Sequence, residues 1–94
     1  MSIYAVTYVY GPDTAKLDEF RPAHRAWMAT EDGLLLSGPT DDNGALLLWE
    51  AKSAAEVESS LDEDPLWTEG IIVERNVVGF TPKTGPWLEP LGLD

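Results

Sequence analysis

The sequence contains no cysteine and a single histidine, and each scarcity narrows what the chain can do. Without cysteine there is no disulfide framework, no thiolate nucleophile and no cysteine metal site. One histidine among scattered acids gives no ligand cluster of recognised spacing, so no metal site is expected. Basic residues are also few: six lysines and arginines face 17 acids, for a net charge of −11. Such a surface repels phosphate backbones and anionic headgroups, so neither nucleic acid nor a membrane surface is an expected partner. No apolar run approaches the roughly 20 residues of a membrane span. Met1-Ser2-Ile3 leads into strand-like sequence with no basic n-region, so no secretory signal is expected and the expected location is cytoplasmic. There is no P-loop and no G-x-G-x-x-G, and no cofactor is called for.

What is present is enough for one packed domain. The hydrophobic content of 44% supports a core, and 94 residues leave no room for a second one. A chain this short gains from the extra burial that an oligomer supplies.

Residues 3–10 are β-branched and aromatic, end at Gly11-Pro12, and read as a strand. Asp13 or Thr14 can cap a following helix, on which Leu17, Phe20, His24, Trp27 and Met28 fall at helical spacing. Pro22 interrupts that pattern: either the helix kinks there, or its regular part begins near Arg21. Residues 34–40 form a second strand, broken at Gly38-Pro39. Asn43-Gly44 signals a tight hairpin turn into a third strand, residues 45–51. Ser53 and Glu56 make a capping box for a helix carrying Ala54, Val57 and Leu61 on one face. Asp62-Glu63-Asp64-Pro65 closes it and opens a short turn through Leu66, Trp67 and Gly70. Residues 71–80 are the fourth strand. The expected division is a domain over residues 1–80 and a Pro/Gly-rich tail over 81–94, in which Trp87, Leu88, Leu91 and Leu93 imply docking on another surface.

The order βαββαβ is the ferredoxin-like α+β arrangement, a four-stranded antiparallel sheet with two helices on one face. Yet the third strand is apolar on both faces, Leu46 and Leu48 against Leu47 and Trp49. A sheet apolar on both sides needs a second cover. Sheet-to-sheet pairing in a homodimer supplies it, with help from the tail.

His24 is the first candidate for chemistry. It occupies a core-facing stripe where leucine would serve, and imidazole is the side chain that exchanges protons near neutral pH. A core histidine bonded to a backbone carbonyl is the structural alternative. Asp64 before Pro65 reads as an ordinary helix cap; alternatively it faces His24 and orients the imidazole, as carboxylates do in acid–base pairs. Arg21, one turn before His24, can hold an anionic group or pair with a surface acid. Ser37 and Gly38 end the second strand, where glycine permits close backbone approach by a ligand or marks a bulge.

Arg21-Pro22-Ala23-His24, Leu35-Leu36-Ser37-Gly38-Pro39, Gly44 before an apolar strand, and Asp64-Pro65-Leu66-Trp67 with Gly70 soon after occur together in this order. In this arrangement the chain resembles the YciI-like (YCII-related) family over roughly residues 1–80. The resemblance implies a ferredoxin-like domain dimerised through its sheets into a dimeric α/β barrel. It implies an active site on a His and an Asp, matched here by His24 and Asp64. It also implies an aromatic after Asp-Pro, matched by Trp67, which joins Arg21, Ser37 and Gly38 as a substrate-contacting candidate. The expected function is a cofactor-independent small-molecule enzyme using a His-Asp acid/base pair for elimination, isomerisation or lactone-type chemistry. The alternative is a non-catalytic dimer that binds a metabolite.

Overall fold

The computed structural model describes residues 1–92; Leu93, part of the expected docking set, lies outside the described residues. The chain runs β1 (Ser2–Tyr10), α1 (Thr14–Met28), β2 (Leu34–Thr40), β3 (Gly44–Ala51), α2 (Ala54–Leu61), α3 (Pro65–Thr68) and β4 (Ile72–Phe80). The four strands form one sheet in the order β2-β3-β1-β4, and all three pairings are antiparallel. This is the expected ferredoxin-like sheet with helices on one face, plus one further turn of helix, α3.

Strand alternation sets the faces. Val6 sits opposite Leu47 on one side and Val77 on the other, so these residues point the same way. Val6, Tyr8, Leu47 and Trp49 are buried on this inner face, against Leu17 of α1, Val57 and Leu61 of α2 and Leu66 of α3. Each such large apolar side chain contributes on the order of 1.5–3 kcal/mol by leaving water. Ser53 caps α2 as expected, accepting from the Glu56 N–H.

One open alternative closes and one local expectation changes. α1 is one helix from Thr14, capped by Asp13, and Pro22 lies inside it rather than in its first turn. Pro22 offers no N–H to the carbonyl of Asp18, and exposure of both residues lets water take that acceptor. β2 is not broken at Gly38-Pro39: it pairs with β3 through Thr40, and its irregularity falls between Leu34 and Leu36 instead. β2 is an edge strand, where a proline costs no ladder bond on its open side.

The outer face carries Leu36, Leu46, Val78 and Phe80, all exposed. The tail turns back along this side, where Trp87, Leu88 and Leu91 enclose an apolar cavity with Leu48 and Phe80. Among the described residues no helix is long and apolar enough to cross a membrane.

Candidate functional site

The site is built where three elements converge on the inner face. Asp64 is the N-cap of α3, and its Oδ1 accepts the Leu66 N–H at 3.0 Å. Pro65 takes the first helical position, where no N–H is needed. This local geometry fixes the carboxylate, which is fully buried. His24 reaches it from α1, with Nδ1 2.8 Å from Asp64 Oδ1. Tyr8 reaches it from β1, its hydroxyl donating to Oδ2 at 3.1 Å. The buried carboxylate therefore accepts from three donors, and buried polar atoms demand such partners.

Asp64 selects one state of the imidazole. An acceptor at Nδ1 holds the proton there, which leaves the Nε2 lone pair as the free basic site of the neutral ring. The ring is mostly covered, with 13% of its side chain exposed, and it borders a cavity of about 340 Å³. Trp27 stacks on it at 5.9 Å between ring centres, and Trp49 stacks on Trp27 at the same spacing, so packing restricts ring rotation.

The cavity lies between α1 and the turn end of the β2–β3 hairpin. Leu17, Met28 and Leu47 give it apolar surface, and Arg21, Ser37 and Gly38 line it too. Ser37 Oγ lies 3.7 Å from Met28 Sδ, across the gap between strand and helix. Arg21 Nε is bound to Asp18 at 3.1 Å on the exposed side of α1. Trp67 is elsewhere: the guanidinium of Arg75 lies over its ring at 3.9 Å. Arg75 in turn bridges Glu58 at 2.6 Å and Asp62 at 2.8 Å, so Trp67 belongs to a clamp joining α2, α3 and β4.

Reading by residue type missed Tyr8, Tyr10, Arg25, Thr40 and Asn43. The two tyrosines stood in view as inward positions of an alternating strand, and a buried phenol needs an acceptor. Burial, then the charge of Asp64, raises the Tyr8 phenol far above its ordinary pKa. Burial and Asp64 also raise Tyr10, against a smaller opposing pull from Arg21. Asn43 and Thr40 carried the weaker signal of turn residues beside the Gly44 that admits a close approach.

A family model, the YCII-related domain, matches residues 2–81. The chain belongs to the YCII-related domain family. The fold agrees with 5-chloro-2-hydroxyhydroquinone dehydrochlorinase (TftG) from Burkholderia phenoliruptrix AC1100, solved in complex with 2,5-dihydroxybenzoquinone. The TM-score is 0.74 at 23% identity, over 88% of this chain and 95% of that one. An uncharacterised NIPSNAP domain protein from Burkholderia xenovorans shares the fold more distantly, with a TM-score of 0.56 at 14% identity over 89% and 96% of the two chains. No curated protein matches this YCII-related chain.

Proposed function

We propose that this YCII-related protein is a small-molecule enzyme in which His24 moves a proton and Asp64 holds it ready. The observation that carries the reading is the 2.8 Å contact between Asp64 Oδ1 and His24 Nδ1, beside a cavity that the imidazole borders. Nε2 is then the atom that takes a proton from a bound compound or returns one. Asp64 stabilises the imidazolium formed in between and keeps the ring in one orientation. Tyr8 holds the second carboxylate oxygen, so the carboxylate cannot swing away.

The chemistry that needs one proton shuttle and no further group is elimination or isomerisation. The structural neighbour supports the first, being a dehydrochlorinase of a hydroxylated aromatic. A cavity of about 340 Å³ suits a ligand of one ring, at the small end of ligand sites. The exposed outer face supports a homodimer joined sheet to sheet.

The test is turnover on a panel of halogenated and unsubstituted hydroxyquinols and small lactones. His24→Asn is expected to lower kcat by about 10²–10⁴, the usual worth of a positioned acid–base group. Full turnover in His24→Asn would overturn the assignment. A panel that binds without any conversion would point to a metabolite-binding protein instead.

A further inference from the structure

The charge of the cavity runs against the charge of the molecule. The protein carries 17 acids and six lysines and arginines. Two of those six, Arg21 and Arg25, line the cavity beside the only histidine, and among the described residues no aspartate or glutamate lines it. Their spacing explains the grouping: residues four apart on a helix share a face, and His24 stands between them in the chain.

The two arginines are not equivalent. Arg21 gives Nε to Asp18, which steadies it but occupies that N–H. Arg25 has no carboxylate within ion-pair distance among the described residues. In so acidic a chain, paired arginine is the rule: Arg75 alone engages two acids. Opposite the arginines, Thr40 and Asn43 present neutral polar groups, while Leu17, Met28 and Leu47 are apolar.

We propose that the cavity takes a monocyclic organic acid, its carboxylate held by Arg25 with Arg21 beside it and its ring against Leu17, Met28 and Leu47. This rests on the reading of the cavity as a small-molecule site and specifies the charge of what enters. A guanidinium fork matches a carboxylate through two parallel hydrogen bonds. The net charge of −11 does not forbid it. At physiological salt the screening length is about 8 Å, so distant acids fade while contacts within the cavity persist.

The experiment compares two probes that share one ring and both hydroxyls, 2,5-dihydroxybenzoate and 2,5-dihydroxybenzyl alcohol. Binding to the full chain is followed by calorimetry. The acid is expected to bind about tenfold tighter or more, the scale of one charge-assisted contact. Arg25→Gln should remove most of that preference and Arg21→Gln part of it, the acid losing far more affinity than the alcohol in both. Equal affinity for the two probes overturns the proposal. So does a preference that survives the Arg21→Gln/Arg25→Gln double variant, and so does failure of the acid to bind with a Kd of about 1 mM or tighter. The preference is read without turnover and should persist in His24→Gln. An acid–base role for His24 can thus fail while acid selection stands. Conversely, His24-dependent turnover of neutral compounds with no acid preference would sink this proposal alone.

Discussion

Asp64 caps α3, anchors His24 and receives the Tyr8 hydroxyl with the two oxygens of one carboxylate. Tyr8 is the partner whose loss can be read in stability. Its phenol is buried and, through that burial and the charge of Asp64, holds its proton far above the ordinary tyrosine range. In the unfolded chain the same phenol ionises near pH ~10. Above that pH the unfolded state binds fewer protons than the folded one, so stability falls as pH rises and is intact below it. Tyr10, raised in the same direction, adds to the fall. Tyr8→Phe removes a hydrogen bond to a charged group, worth about 1.5–3 kcal/mol. The variant should therefore be less stable at neutral pH and lose less on going from pH 8 to pH ~11. Urea unfolding at the two pH values checks both; parallel losses in the two proteins would discount the Tyr8 contribution. His24 and Asp64 were legible as residue types, a histidine on an apolar stripe and an aspartate before proline. Tyr8 was not, because its partner lies 56 positions away and only the folded strand brings them together. Trp67 misled for the converse reason: its neighbours in sequence mark the site, while its ring turns to Arg75.

At the scale of elements, the β2–β3 hairpin joins the cavity to the central strands. Asn43 adopts a positive φ of 62°, its side chain donates to the Tyr10 carbonyl, and its own carbonyl accepts the Tyr10 N–H. Gly44 follows, so close to β1 that a Cβ would run into the Tyr8 carbonyl. That obstacle is backbone within a paired strand and cannot swing aside. Gly44→Ala should cost roughly 1–3 kcal/mol, as overpacking does, and lower the urea midpoint without changing the slope. Gly38 is the control, since among the described residues a Cβ there meets nothing within 4 Å. Gly38→Ala should stay within about 0.5 kcal/mol of the parent, as substitutions in open positions do. If the two variants proved equally stable, the close approach at Gly44 would be of no consequence. The Asn-Gly signal gave this turn its place in advance because its chemistry is local. Pro39 was read as a break, and Pro22 as a kink or the start of the regular helix, because local rules count each proline as a lost bond. In the folded molecule, exposure on α1 and an edge position in β2 make both losses tolerable.

At the scale of the molecule, two properties oppose each other on the outer face of the sheet. Its apolar side chains favour a cover: Val78 is 58% exposed and Phe80 44%, and Leu36 and Leu46 are exposed on the same face across the sheet. The tail encloses a cavity with Leu48 and Phe80, and Trp87 itself stays 68% exposed. A second copy laid face to face would bury the remainder, yet each copy brings a charge of −11. Burial is short-ranged and proportional to area, at about 25 cal/mol per Å². Repulsion between the two surfaces acts over a Debye length, about 30 Å in ~10 mM salt but only about 8 Å at ~150 mM. The proposed homodimer should therefore tighten as salt is raised across that range, the reverse of an association held by ion pairs. Sedimentation velocity at micromolar concentration reads this directly. Leu46→Asp, which places a charge at the middle strand of the contact, should give a monomer whose His24 cavity, on the opposite face, still binds its ligand. A parent chain that stays monomeric at both salt concentrations would leave the apolar face to some other partner. A dimer that loosens with salt would mean that ion pairs, rather than the leucine and valine surface, hold the two copies together.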